Sequence, residues 1–296
     1  MVEVRELCFS YGAHKAVDGL SFTVQSGEVF GLLGPNGAGK TTTFLLLSGV
    51  FSPDRGEVRV CGANPQLPSS RRLFGHAPQA IALYDGLSAE ENLRFWGRLY
   101  GLQGKRLHAR VEFCLDVAGL APRRRQRVGS FSAGMKKRLN VAASILHDPK
   151  VVLLDEPTAG VDPQSRANLF AMIAQLKAEG KAVLFASHVL AEAEALCDRV
   201  VILDRGRTVA EGSLRELLAT YGGPFTITGE AEEKSPRPEL PGLGWEGSRF
   251  RLVAAHPGQA LQQLEEAGVL VRHLELRSAS LEEVFLRLTG REVRDP

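Results

Sequence analysis

A chain of 296 residues can bury roughly 70–75% of its unfolded surface, so its core requires neither disulfide nor metal. Lys and Arg total 36 against 34 acids, and a formal net charge of +2 excludes the strong field that would announce nucleic acid or an anionic surface as partner. Cys8, Cys61, Cys114 and Cys197 lie far apart without CxxC or zinc-type Cys/His spacing, as expected of thiols in a reducing compartment.

Met1 to Glu6 lacks the basic-then-apolar order of a signal peptide. The longest apolar stretch, Phe44 to Phe51, is broken by Ser48 and Gly49 and falls short of the ~18–20 residues of a bilayer span. A soluble cytoplasmic chain is expected. Val2 to Phe9 and Leu20 to Val24 read as short strands, and Val29 to Leu33 as a compact apolar strand. Thr42 to Leu47 is helical in pattern, and Gly56 to Cys61 alternates as a strand. Ser88-Ala89-Glu90-Glu91 has capping-box spacing and opens an amphipathic segment, Asn92 to Tyr100, so residues 80–148 read as a helical insert. Parallel-sheet character returns at Val151 to Leu154 and Ala182 to Ala186, separated by a helix over Gln164 to Ala178. Tyr221 to Pro224 breaks the pattern, and Gly229 to Gly247, rich in Glu, Pro and Gly, reads as a loop or linker. Beyond it, Arg249 to Ala254, Gln259 to Ala267, Val271 to Leu276 and Ser280 to Leu288 alternate strand and helix. Two domains are expected: 1–220, and a small α/β accessory domain over 224–296.

Gly34-Pro35-Asn36-Gly37-Ala38-Gly39-Lys40-Thr41 fills the pattern GxxxxGK[ST] between a predicted strand and a predicted helix, the context this motif requires. Glycines let backbone N–H groups turn toward phosphate oxygens, and a helix starting near Gly39 offers the positive end of its dipole. Lys40 is placed to reach the β- and γ-phosphates, and the Thr41 hydroxyl to coordinate Mg²⁺. Asp155, closing the apolar run from Val151, is suited to the Mg²⁺ shell, and Glu156 to polarising a water. Lys136, Lys137 and Arg138 stand in the early turns of a helix with Met135, Leu139, Ala142 and Leu146 as its apolar positions. Cations there oppose the helix dipole, which hints at a bound anion nearby; a merely solvated face is the other reading of each residue.

GPNGAGKT, Gln79, Phe131-Ser132-Ala133-Gly134-Met135-Lys136, Val151 to Glu156, Ala159-Gly160-Val161-Asp162 and Ser187-His188 resemble, in this order, the motif set of ABC ATPase subunits. The resemblance covers about residues 1–220. It implies a P-loop NTPase core of α/β class with an antiparallel β subdomain and a helical subdomain. It implies ATP as ligand, with Tyr11 stacked on adenine and Asn36 to Thr42, including Gly37, Ala38, Gly39 and Thr42, around the phosphates. By the same resemblance Glu156 is the catalytic base, Gln79 joins metal and attacking water, and His188 contacts the γ-phosphate. Ser132, Ala133 and Gly134 then close over ATP held by a second subunit, and Asp162 touches that subunit, so dimerisation is part of the chemistry. The family usually has glycine where this chain has Ala133; at negative φ the added methyl is harmless, at positive φ it costs roughly 1 kcal/mol or more.

Asp198 to Leu203, the turn at Gly206 and the ending Ser280 to Phe285 resemble the ATPase subunits of ABC-2-type exporters, including the antibiotic-resistance group. This implies a separately encoded permease that brings the chain to the inner face of the membrane. Gln79 to Trp96 is the expected docking surface, with Leu83, Tyr84 and Phe95 as apolar contacts or, on the competing reading, as core-packing residues. The run Arg123-Arg124-Arg125-Gln126-Arg127 offers charge to anionic lipid or to solvent. The rival reading, a non-transport ABC ATPase acting on nucleic acid or the ribosome, calls for a coiled-coil insertion, a zinc motif or two cassettes in one chain, and this sequence contains none of them.

Overall fold

The structure, a computed structural model, describes residues 1–232, 234–277 and 280–290. It divides into two compact units, Met1–Ser213 and a second that begins at Leu214. The first contains β1 (Val2–Tyr11), β2 (His14–Val24), β3 (Val29–Leu33), α1 (Lys40–Leu47), β4 (Arg55–Val60), β5 (Phe74–Ala77), α2 (Ala89–Leu99), α3 (Gly104–Val117), α4 (Ala133–Ser144), β6 (Val151–Asp155), α5 (Pro163–Ala178), β7 (Ala182–Ser187), α6 (Leu190–Leu196), β8 (Arg199–Asp204) and β9 (Arg207–Ser213). A six-stranded sheet has the order β5-β6-β7-β3-β8-β9, parallel except for β9. A three-stranded antiparallel sheet has the order β2-β1-β4.

Strands β3, β6 and β7 are buried at every residue because both faces of the large sheet are covered. Their period-2 alternation distributes side chains between two cores. Val152, Leu154, Val183 and Phe185 pack with α2 to α5, whereas Val151, Leu153, Leu184 and Phe30 pack with the small sheet and α1. Each such fully buried side chain contributes about 1.5–3 kcal/mol. The capping box at Ser88 is complete: Glu91 N–H donates to Ser88 Oγ (3.2 Å) and Ser88 N–H to Glu91 Oε2 (2.8 Å). Within the basic run, the Arg124 guanidinium is bound to Glu90 (2.8 Å) and Glu112 (2.8 Å), so its charge is paired inside the chain.

The second unit contains α7 (Leu214–Tyr221), β10 (Phe225–Ala231), β11 (Leu243–Glu246), β12 (Arg249–Ala254), α8 (Pro257–Glu266), β13 (Val271–Arg277) and α9 (Leu281–Thr289). Its antiparallel sheet has the order β11-β12-β10-β13, with α8 against Ile227, Phe250 and Leu252. Helix α7, which the sequence places with residues 1–220, packs here against α9. Strands β10 and β11 enter the Gly229 to Gly247 stretch read as a loop or linker; the pairs Glu230–Arg249 and Trp245–Phe250 supply cross-strand partners that a local window cannot see. Among the described residues no helix is long and apolar enough to cross a membrane.

Two histidines give this fold a pH dependence. His76 has Nε2 buried without a hydrogen-bond partner, and His147, stacked on Tyr100 at 3.7 Å, leaves Nδ1 in the same condition. Burial lowers both to about 4 from 6.5. Between those values the unfolded chain binds more protons than the folded one, so stability rises with pH across the window. The contribution, on the order of 3 kcal/mol for each ring, is fully present above pH 6.5 and lost as pH falls toward 4. Urea midpoints measured from pH 7 to 4 are expected to fall, and less steeply in His147→Gln.

Candidate functional site

The loop from Gly34 to Gly39 follows β3, Gln79 follows β5, Glu156 follows β6 and His188 follows β7. These four strands are adjacent and parallel, so their carboxyl ends deliver the loop and the three side chains to one edge of the sheet, where ligands of open α/β sheets bind. A cavity of about 440 Å³ lies there, lined by Tyr11, Asn36, Gly37, Gly39, Lys40, Thr41, Thr42, Gln79 and Glu156. His14 and Ala16 of β2 complete the lining, and no motif pointed to them.

Two glycines have the loop's shape forced on them. Gly34 (φ 151°) and Gly39 (φ 102°) are in the left-handed half of φ space, and a Cβ would come within 2.4 Å of Leu203 O and 2.5 Å of Ala16 O. Helix α1 therefore begins at Lys40 with its first N–H groups at the cavity. Ala38 is buried in the core beneath the loop, its N–H bonded to Pro35 O and its carbonyl to Gly206 N–H.

Lys40, buried, donates to Gly34 O (2.8 Å) and Pro35 O (3.2 Å), with Nζ 3.5 Å from Glu156 Oε1. Glu156 Oε2 accepts from Gln79 Nε2 at 3.1 Å, and Oε1 lies 3.2 Å from His188 Nδ1. The backbone of Glu156 is left-handed (φ 45°), a conformation costing about 1–3 kcal/mol in a non-glycine residue. Glu156 N–H to Ala186 O (3.1 Å) and Lys137 Nζ to Glu156 O (3.2 Å) hold it. Beside it, Asp155 Oδ1 is buried without a hydrogen-bond partner. Burial raises the Asp155 carboxyl above its usual range and the Glu156 charge adds to this, while the Thr41 hydroxyl bonds it and opposes the shift.

Tyr11 is 47% exposed at the cavity mouth, edge-on to Phe9 and Phe51 at 5.0 and 5.8 Å, with its hydroxyl 3.4 Å from Thr42 Oγ1. An exposed ring held in place by two others can stack on a planar ligand.

Ser132, Ala133, Gly134 and Asp162 are not among the lining residues. Ser132 caps α4, its Oγ accepting from Met135 N–H, and Ala133 is the first helical residue with negative φ, so its methyl is harmless to the backbone. Gly134 faces α5: a Cβ there would be 2.3 Å from Ser165 Cβ. Asp162 caps α5 by accepting from Ser165 N–H at 2.9 Å.

The cations at the start of α4 have partners within the chain, which removes the hint of an anion. Lys136 pairs with Asp85 (2.8 Å), Arg138 donates to Ala118 O (2.5 Å), and Lys137 to Gln79 O (2.8 Å) and Glu156 O. Lys137 is buried, and that burial lowers its pKa. One helical turn on, Asn140 accepts from Ala82 N–H (3.1 Å) and donates to Pro78 O (3.2 Å). The two side chains fix the loop carrying Gln79 to the strand end carrying Glu156. Only the i, i+3 spacing that sets Lys137 and Asn140 on one side of α4 signals them in the sequence. Glu192, also missed, is buried on α6 and accepts from Thr158 (2.6 Å) and Ser187 (3.1 Å), which ties the segments after β6 and β7 together.

The family described as ABC transporter matches residues 17–159. The linearmycin resistance ATP-binding protein LnrL of Bacillus subtilis (strain 168) is 36% identical over the whole of both chains. The Nod factor export ATP-binding protein I of Cupriavidus metallidurans is 39% identical over 100% of this chain and 99% of its own. A solved ATP binding subunit of an ABC transporter superposes with a TM-score of 0.68 at 33% identity, covering 75% of this chain and 93% of that one. With cbiO1 of Clostridium perfringens, part of the ABC transporter complex cbiONQ, the TM-score is 0.67 at 27% identity over 74% and 90%. This chain belongs to the ATP-binding proteins of ABC transporters, and it binds and hydrolyses ATP.

Proposed function

We propose that this chain is the ATPase of an ABC-2-type exporter, working as a dimer beneath a separately encoded permease. The observation that carries the export reading is end-to-end similarity to proteins named for linearmycin resistance and Nod factor export. In this reading phosphate oxygens take the place of Gly34 O and Pro35 O at Lys40, and Tyr11 receives the adenine. Glu156 accepts the proton of the attacking water at Oε1 or Oε2, with Gln79 and His188 fixing its orientation. The unpartnered Asp155 Oδ1 beside the Thr41 hydroxyl fits Mg²⁺, with Gln79 completing the protein's donor set. When bound, the ion supplies charge neutralisation at the phosphates.

Ser132 and Ala133 are exposed and outside the cavity of their own chain, which supports a ligand contributed by a second subunit. Asp162 stands on the same side of that argument, at the head of α5. For the permease, Leu87, Phe95 and Leu99 line a groove of about 500 Å³ along α2 together with Glu91, Arg94 and Arg98, and Tyr84, half exposed, packs edge-on to Phe95 at 4.9 Å. Leu83 packs into the core and is not part of it. Capturing this chain from detergent-solubilised membranes tests the reading: recovery of a multi-span permease that Leu99→Asp releases is expected. Recovery with ribosomes or DNA in place of a permease overturns it.

A further inference from the structure

Strand β13 is one of the two edges of the second unit's sheet, opposite β11. It pairs with β10 on one side, and every residue from Val271 to Arg277 is exposed. Its outward backbone N–H and C=O groups have no strand to receive them among the described residues. Leu274 and Leu276 stand opposite Gly229 and Ile227, on the face that Ile227 shares with α8, yet they are 40% and 46% exposed. Leu270, just ahead of the strand, is 61% exposed. An edge with such a row of leucines is a template for another strand, and natural edges suppress that with Pro, Lys or repelling charge. Val271 to Arg277 contains neither Pro nor Lys.

We infer that β13 pairs antiparallel with β13 of a second copy of this chain, about a twofold axis through Leu274, joining two four-stranded sheets into one. Charge selects this register. It sets Leu274 against the partner's Leu274, and His273 against the partner's Glu275 twice over. Glu275, which holds Arg277 at 3.0 Å, then has a donor on each side. A slip of two residues one way sets Glu275 against the partner's Glu275, and like charges directly opposite destabilise a pair; a slip the other way sets His273 against the partner's His273 and Glu275 against the partner's Val271, which deprives each Glu275 of its cross-strand donor. A one-residue slip turns the leucines to the opposite face. The charges that would guard an ordinary edge are here self-complementary, and the leucines they flank become buried at the seam.

The pairing is independent of nucleotide, so the full chain is tested without ATP. Under mild oxidation Leu274→Cys is expected to form a covalent dimer, because directly opposite Cα atoms are about 4.5–5.5 Å apart, within disulfide reach. Leu276→Cys, facing the partner's Arg272, is expected to give no more dimer than the parent chain. In sedimentation equilibrium Glu275→Lys should weaken self-association at least about tenfold, and His273→Glu added to it should restore affinity, since a tenfold change is 1.4 kcal/mol. Equal cross-linking of the two cysteine variants, or association indifferent to Glu275→Lys, overturns the inference and leaves the exporter reading untouched.

Discussion

Glu156→Gln is expected to lower ATP turnover by about 10²–10⁴-fold, the contribution of a positioned general base, while nucleotide binding survives. The substitution keeps the shape and an acceptor oxygen for Gln79 Nε2, now 3.1 Å from Oε2. It removes the carboxylate that would take a proton from water, and leaves Lys40 and Thr41 in place. Phosphate release read beside ATP-induced thermal stabilisation separates the two effects. Unchanged turnover would remove Glu156 from the chemistry. The φ of 45° argues against a merely structural carboxylate, because the protein bears a strained backbone to present this side chain between Gln79, His188 and Lys40.

Gly134→Ala is expected to destabilise the chain by about 1–3 kcal/mol, the usual cost of forcing a methyl into packed space. The new Cβ would meet Ser165 Cβ and Oγ at 2.3 Å, so α4 and α5 must separate. Ser165→Gly in the same chain removes both obstructing atoms and should recover most of the loss, less the ~1 kcal/mol that glycine costs in a helix. Urea unfolding of the two single variants and the double variant measures the coupling, which direct contact makes non-additive. Additive losses would show that the two residues do not share this contact. The outcome bears on the glycine-bearing run after Phe131: one of its glycine-like positions, Ala133, tolerates a side chain, and the other does not, for a reason of internal packing.

The phosphate loop was readable residue by residue, since its glycines, its lysine and its flanking strand and helix are contiguous and act locally. Asp155 and Glu156 were readable as acids at the end of an apolar strand, and Ser88 as a cap, for the same reason. The partners of the α4 cations are not legible locally, because the helix dipole acts within the helix while Lys137 is oriented by carbonyls of Gln79 and Glu156, 58 and 19 residues away in sequence. Strands β10 and β11 were hidden because short polar strands are defined by their partners more than by their own periodicity.

Local chemistry thus specifies the ligand class: a glycine loop, a lysine and a hydroxyl at a helix start can cradle phosphate wherever they occur. Tertiary structure decides which distant side chains join them. The parallel order β5-β6-β7-β3 puts four strand ends side by side, so that Gln79, Glu156, His188 and Lys40 meet although they span residues 40 to 188. The sheet order that achieves this is set by which apolar faces bury together across the whole unit, a sum over pairings that no local window contains.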